Sequence, residues 1–178
     1  MPLLPSRISL YRLGYSGLVL LTLALCTIPG ITTSGVILWP DLVYCITIAW
    51  LIRAPMHVPP WLLVGVFLLR DILLGLPPGL WTAMILLTGL IIILSYEWLR
   101  SHIYLIQWIL VAGLYLCALI AMQSVLLITR LPVPTSENLV RSFVMTALAY
   151  PLASALIALI IREDAARDGT TEGATGWL

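Results

Sequence analysis

Two charged residues, Arg70 and Asp71, stand side by side in an otherwise apolar stretch between Trp61 and Leu76. A charge within the hydrocarbon layer of a membrane costs several kcal/mol, roughly 2.5–3.5 on insertion scales, so such side chains usually face the protein interior and pair there. Successive helical residues point about 100° apart, so these two cannot share one direction. We expect one of them to pair with Asp41 or with a neighbouring helix, and the other to face elsewhere.

Three roles are open for these charges. They can hold helix ends in register, they can bind another protein, or they can take part in ligand binding or proton transfer. We favour the structural role, because it needs only the helices themselves. Partner binding is the second choice and a ligand or proton role the third.

Residue combinations that support catalysis are missing from the sequence. His57 and His102 have no His, Cys or carboxylate neighbours at metal-ligand spacing. The Ser and Thr residues lack the His–carboxylate company of a triad, and there is no Gly-rich phosphate loop. Cys26, Cys45 and Cys117 lie in apolar runs without paired spacing, which is typical of buried free thiols. The sequence predicts no enzyme, no catalytic residue, no cofactor and no metal.

Composition indicates a membrane protein. Of the 178 residues, 61% are hydrophobic and only 10% are charged. The mean hydropathy is +1.08. A soluble domain of this length has no way to bury so much apolar surface. The net charge of +1 offers no basic field for nucleic acid, so a nucleic-acid partner is not expected, whereas membrane lipids are.

Apolar runs separated by Pro, Gly and polar residues predict an all-α polytopic membrane protein with six transmembrane helices. The segments are 12–29, 38–53, 60–76, 79–98, 102–129 and 141–161. The second and third are close to the lower limit of about 17 residues for a spanning helix. We assign residues 1–161 to one six-helix transmembrane domain and residues 162–178 to a disordered cytoplasmic tail.

Arg placement predicts that both termini are cytoplasmic. This topology puts six Arg on the inner side (Arg7, Arg12, Arg53, Arg100, Arg162 and Arg167) and three toward the outer side (Arg70, Arg130 and Arg141). Arg53 and Glu97 close two segments on the inner side, and we consider that they pair across helices. Four indoles at segment ends are expected at the membrane interface: Trp39, Trp61, Trp81 and Trp98.

The sixth segment carries a polar stripe, since Thr146, Tyr150 and Ser154 recur at four-residue spacing. Beside it, Ala149 and Ala153 allow a neighbouring helix to approach closely. Packing inside the bundle is the simpler interpretation of this face. A groove for another protein's helix is the alternative.

Three motifs resemble the MreD family of rod shape-determining membrane proteins. They are Trp39-Pro40-Asp41-Leu42, then Trp50-Leu51-Ile52-Arg53-Ala54-Pro55, then the run from Phe67 to Gly79. In that family a Pro-Asp opens the second helix and an Arg closes it. The third helix ends with an Asp, a Gly, a Pro-containing turn and a second Gly. The matching residues here are Pro40, Asp41, Arg53, Asp71, Gly75 and Gly79, whereas Arg70 and the doubled Pro77-Pro78 are less usual.

The resemblance implies a non-catalytic subunit of the machinery that builds side-wall peptidoglycan in the bacterial inner (cytoplasmic) membrane. Such a subunit binds MreC, a bitopic protein with a largely periplasmic body. Through MreC it influences RodA, a class B penicillin-binding transpeptidase and the MreB filament. The resemblance also implies a fold similar to the substrate-binding subunits of vitamin transporters.

The alternative function is a small-molecule or lipid-binding membrane subunit of a transporter. A ligand binder needs a water-accessible cavity with several convergent polar groups, and the sequence offers few candidates for one. An adaptor needs a lipid-level groove lined by small and aromatic residues, which the fifth and sixth segments can supply.

Overall fold

The computed structural model describes the backbone at residues 5–26, 40–55, 58–131 and 133–174. Side chains are described at residues 12–25, 40–55, 58–99, 101–131 and 133–161. The helices are α1 (Pro5–Cys26), α2 (Leu42–Arg53), α3 (Pro60–Leu73), α4 (Leu80–Leu94), α5 (Tyr96–Ser101), α6 (Tyr104–Ile128) and α7 (Ser136–Ala174). Every regular element in the described residues is a helix, which confirms the predicted all-α fold.

Each of the six predicted segments overlaps one of the longer helices, but several boundaries differ. Helix α1 begins at Pro5 and α7 begins at Ser136, before the predicted starts at residues 12 and 141. Segment 79–98 is divided, because α4 ends at Leu94 and the short α5 begins at Tyr96. The backbone of α7 remains helical through Ala174, where the sequence analysis places a disordered tail from residue 162. The helix therefore runs past the expected end of the transmembrane domain at residue 161.

Two helices are long and apolar enough to cross a membrane: Tyr104–Ile128 and Ser136–Ile161, of 25 and 26 residues. The helices α2, α3 and α4 have only 12, 14 and 15 residues. At 1.5 Å per residue they extend about 18–22 Å, against a hydrocarbon layer of about 30 Å. Length and composition thus identify two candidate spans among the described residues.

The centre of the bundle is α2. All its residues from Val43 to Leu51 are buried, and it contacts α1, α4, α5 and α7. A helix that is apolar on every side lies either in a protein core or in the membrane interior. The continuous apolar run of this segment is therefore explained by burial on all sides.

Helices α2 and α7 run side by side in the same direction. The Asp41 backbone N–H donates to Thr146 Oγ1 at 2.9 Å, and Arg53 Nη2 donates to Ser154 Oγ at 2.9 Å. These two contacts lie at opposite ends of the bundle. We call these ends the Asp41 end and the Arg53 end.

Helix α6 runs opposite to α7. Tyr115 Oη and Ser142 Oγ share a hydrogen bond of 3.0 Å, and Trp108 Nε1 donates to the Ala147 carbonyl at 2.8 Å. As the residue number rises along α6, its partner's number falls along α7, which is the signature of an antiparallel pair.

The first helix also opposes α2. Gly14 lies against the Trp50 indole, and the Tyr15 and Thr47 hydroxyls share a hydrogen bond of 2.9 Å. Helix α3 ends and α4 begins at the Asp41 end, where Arg70 reaches Asp41. The longer helices therefore alternate in direction along the chain.

The polar stripe of α7 faces α2. Thr146, Tyr150 and Ser154 are 2%, 2% and 1% exposed, and Ala153 is 8% exposed. Thr146 and Ser154 bond to the two ends of α2. This stripe serves bundle packing, so the alternative of an open groove for another protein's helix along it is wrong.

We expect Ala153→Trp to destabilise the bundle itself. Ala153 is 8% exposed, whereas its neighbour Leu152 is 76% exposed. Overpacking a filled interior typically lowers stability by about 1–3 kcal/mol. Thermal unfolding of the detergent-purified protein should show a clear decrease in unfolding temperature for Ala153→Trp and little change for Leu152→Trp. Equal unfolding temperatures for the two variants would contradict the assignment of this face to the core.

Candidate functional site

An ion pair between Arg70 and Asp41 joins α3 to the start of α2. Arg70 Nη2 donates to Asp41 Oδ2 at 2.7 Å, and the side chains are 12% and 6% exposed. A short N–H···O contact between two ionised groups is among the stronger hydrogen bonds in proteins. The prediction that one of Arg70 and Asp71 pairs with Asp41 or with a neighbouring helix is confirmed, and the structure gives Arg70 with Asp41.

Asp41 also connects two further parts of the structure. Its Oδ1 accepts the Tyr44 N–H at 3.0 Å, as an N-cap residue does, which satisfies one free donor at the start of α2. Its own N–H donates to Thr146 on α7 at 2.9 Å. One residue therefore caps α2, pairs with α3 and holds α7. Pro40 precedes it, and its carbonyl accepts the Leu42 N–H at 2.8 Å.

Trp81 lies beneath the Arg70 guanidinium, whose carbon is 5.0 Å from the ring centre. A cation over an indole face is attracted by the ring's negative face. Trp81 is only 2% exposed, so its indole packs inside the bundle and not on its outer surface. Trp61 and Trp98 are 65% and 49% exposed, whereas Trp39 lies outside the described residues.

Asp71 faces away from Arg70 and caps α4. Asp71 is 0% exposed. Its Oδ2 accepts from the Gly79 N–H at 3.0 Å, the Thr82 N–H at 3.3 Å and the Thr82 hydroxyl at 3.0 Å. The first N–H groups of a helix have no partner within the helix, and the helix dipole favours a negative charge there. A carboxylate from α3 thus completes the start of α4.

Two glycines shape the turn between these helices. Gly75 and Gly79 have φ of +66° and +93°. Backbone in this region is strained for residues with a Cβ. The turn brings the Gly79 N–H to Asp71, so the Gly-Leu-Pro-Pro-Gly sequence and the buried carboxylate act together.

Some polar atoms of this cluster remain unpaired. Within the part of the chain that the structure describes, Arg70 Nη1, Asp71 Oδ1 and Trp81 Nε1 are buried without a hydrogen-bond partner. A buried polar atom left unpaired lowers stability by about 1–3 kcal/mol. A polar group placed within hydrogen-bond distance of one of these atoms would therefore raise the stability of the fold.

Arg53 does not pair with Glu97. Its Nη2 donates to Ser154 Oγ at 2.9 Å, and Nη1 makes a longer contact of 3.5 Å with the Ala49 carbonyl. Glu97 is exposed. The suggested cross-helix ion pair is wrong because Arg53 reaches α7 and not the helix that carries Glu97.

Three candidate residues on α7 lie apart from the charged cluster. Tyr150 is 2% exposed and Ala153 is 8% exposed, and both belong to the apolar core. Ala149 is partly buried and packs against that core. None of the three forms an open surface in the described bundle.

Sequence reasoning missed the two hydroxyls of the charged cluster, one that accepts the Asp41 backbone N–H and one that donates to the Asp71 carboxylate. Thr146 was noted only as part of a stripe, and Thr82 was not noted. A usable signal exists for Thr82, which lies three residues after the helix-initiating Gly79 and is therefore well placed to share a capping acceptor. The contact between Asp41 and Thr146 spans 105 residues and has no local signature.

The described residues contain no group of three or more His, Cys, Asp or Glu side chains that can hold a metal. An enclosed cavity between α2, α6 and α7 has a volume of about 10 Å³ and is lined by Tyr44, Trp108, Val111, Ala112, Tyr115, Thr146, Ala147 and Tyr150. Sites for small-molecule ligands usually have about 300–1,000 Å³. This cavity is therefore far too small for a vitamin-sized ligand.

Comparison with protein-family models, with curated proteins and with solved structures gives no match. The interpretation of this site accordingly rests on its own geometry.

We expect Asp71→Leu to be strongly destabilising. It removes the acceptor of three hydrogen bonds at the start of α4. Removing one partner of a buried charged network typically costs about 3–5 kcal/mol. The matched control is Glu137→Leu, because Glu137 is 79% exposed and its pair with Arg141 is long at 3.7 Å. Thermal unfolding in detergent should separate the two variants, and similar unfolding temperatures would refute the capping role.

Proposed function

We propose that the chain is an MreD-like, non-catalytic subunit of the bacterial cell-elongation complex in the inner membrane. In this proposal it binds an MreC-like bitopic protein. Through that partner it affects RodA, a class B penicillin-binding transpeptidase and MreB, and thereby side-wall peptidoglycan synthesis and cell shape.

The observation that carries the proposal is the convergence of the motifs that resemble the family. Pro40 and Asp41 open α2, and Asp71, Gly75 and Gly79 form the α3–α4 connection. The Arg70–Asp41 ion pair and the cap on α4 bring the first and third motifs to the Asp41 end, whereas Arg53 of the second motif lies at the Arg53 end. The first and third motifs are thus linked by contacts as well as by their order in the sequence.

Six crossings with both termini inside are part of the proposal. The alternating helix directions support it, because α2 and α7 are parallel whereas α6 opposes α7. An even number of alternating crossings returns the chain to its starting side. The short α2 is buried among other helices, so its side chains from Val43 to Leu51 contact protein and not lipid.

An adaptor role agrees with the interior better than transport does. A substrate-binding subunit needs an interior cavity of ligand size. The cavity between α2, α6 and α7 holds only about 10 Å³. A wider pocket of about 540 Å³ is open to the outside and is lined only by residues of the first turns of α7, so it is a surface groove and not an interior site. The small residues of α7 that suggested a groove are turned inward. We therefore propose that the partner contacts the outward face of α7, which includes Leu148, Leu152 and Leu159 with 61%, 76% and 60% exposure.

Reporter fusions at three positions test the topology. Thr33, Met56 and Gly173 fall in three of the regions between or beyond the proposed crossings. We expect an external reporter at Thr33 and internal reporters at Met56 and Gly173. An external reporter at Gly173 would exclude the six-crossing topology with both termini inside.

Co-purification tests the proposed partner. When co-expressed with an MreC-like protein, the tagged chain should recover it from mild detergent. Cells depleted of the chain should lose their rod shape. Association at membrane depth depends on van der Waals packing, so Leu148→Trp and Leu152→Trp should reduce recovery several-fold.

The control for that experiment is deletion of residues 166–178, which should leave partner recovery unchanged. If the deletion abolished recovery and both Trp variants bound normally, the interface would be cytoplasmic. If a well-folded chain recovered no MreC-like protein and depleted cells kept their shape, the proposed function would be wrong.

A further inference from the structure

Arg12 is a half-buried cation on the core-facing side of α1. It lies one turn before Tyr15, which is fully buried, as is Val19 a further turn along. Its Nε is buried without a hydrogen-bond partner. Within the described residues, Arg12 has neither a carboxylate nor a hydroxyl to compensate it.

Arg53 is a second cation that lacks an acidic partner. It is half-buried at the end of α2, where it donates to the Ser154 hydroxyl at 2.9 Å. Among the residues that the structure describes, the acid–base pairs are Arg70–Asp41 and Arg141–Glu137. Neither pair includes Arg12 or Arg53, so within the described residues both cations lack a carboxylate partner.

The packing of α1 on α2 brings these two cations to the same end of the bundle. The Tyr15 and Trp50 rings meet edge to face with their centres 5.7 Å apart. Arg12 precedes Tyr15 by three residues and Arg53 follows Trp50 by three. Because α1 and α2 run in opposite directions, a step back along α1 and a step forward along α2 both lead toward the Arg53 end. Arg12 and Arg53 therefore both lie on the Arg53 side of the Tyr15–Trp50 contact.

We propose that Arg12 and Arg53 bind the phosphate of an anionic phospholipid at the Arg53 end. A guanidinium matches a phosphate through two parallel N–H···O bonds. Basic positions between membrane helices on the cytoplasmic side favour anionic headgroups. The phosphate supplies the negative charge that no carboxylate among the described residues supplies to these Arg side chains. This site goes beyond the proposed adaptor function and rests on the proposed topology, in which the Arg53 end faces the cytoplasm.

Lipid binding to the detergent-purified full chain tests the site. Phosphatidylglycerol and phosphatidylcholine with identical acyl chains are compared by native mass spectrometry and by thermal unfolding. We expect the wild-type chain to retain phosphatidylglycerol more tightly and to unfold at a higher temperature in its presence. Arg12→Gln should weaken phosphatidylglycerol binding by about tenfold, the effect of one charge-assisted hydrogen bond.

The same variant separates a binding role from a structural one. The Arg12 Nε is buried without a hydrogen-bond partner in the described residues, so Arg12→Gln should unfold with phosphatidylcholine at a temperature no lower than that of the wild type. Arg53→Gln loses the Ser154 contact and is judged by its lipid preference alone, which should also fall. Arg130→Gln, an exposed cation beyond α6 at the Asp41 end, should bind as the wild type does.

Several results would overturn the assignment. The wild-type chain could retain the two lipids equally well, or Arg12→Gln and Arg130→Gln could lose binding to the same extent. Either result would contradict a phosphate site at Arg12 and Arg53. Stabilisation by inorganic phosphate as large as that by phosphatidylglycerol would replace a lipid site with a free-phosphate site. A lower unfolding temperature of Arg12→Gln in phosphatidylcholine would assign Arg12 to the fold.

Discussion

Burial of charge in apolar surroundings is the constraint on which the rest of this bundle depends. Arg70 and Asp41 are 12% and 6% exposed, and each needs the other. Their ion pair fixes the end of α3 against the start of α2. Trp81 on α4 lies under the guanidinium, and Thr146 on α7 receives the Asp41 N–H. Four helices are thereby held in register at one end, because a buried charge tolerates few displacements of its partners.

The same constraint acts on the backbone. A helix that begins inside the protein leaves N–H groups that water cannot reach, so another part of the chain must provide acceptors. Asp71 does this for α4, and the left-handed Gly75 and Gly79 shape the turn that makes it possible. The second end of the bundle is different, because Arg12 and Arg53 lie there without carboxylates among the described residues. One end is closed by internal pairs, whereas the other offers positive charge.

How far the sequence predicts this cluster depends on the kind of contact. That one of Arg70 and Asp71 needs a partner, either Asp41 or a neighbouring helix, and that the other faces elsewhere follow from the energy of buried charge and from the 100° between successive residues. The burial of Trp81 does not follow, since an indole at a segment end suits an interface equally well. The suggested pairing of Arg53 with Glu97 fails for a related reason. The order of the helices places Arg53 and Glu97 at the same end of the bundle, where α2 contacts α5. It does not give the rotation of each helix about its axis, which decides the direction of each side chain.

The sequence by itself determines that the chain is helical and strongly apolar, where its helices fall, and that the charges within them need partners. These properties come from composition, breakers and the energy of single residues, which are local. Only the tertiary structure decides that Arg70 binds Asp41, that Asp71 caps α4 and that the Tyr150 stripe faces α2. These contacts depend on the height and rotation of each helix. Packing of the whole bundle sets both, and residues as far apart as Asp41 and Thr146 carry no trace of it in their local sequence.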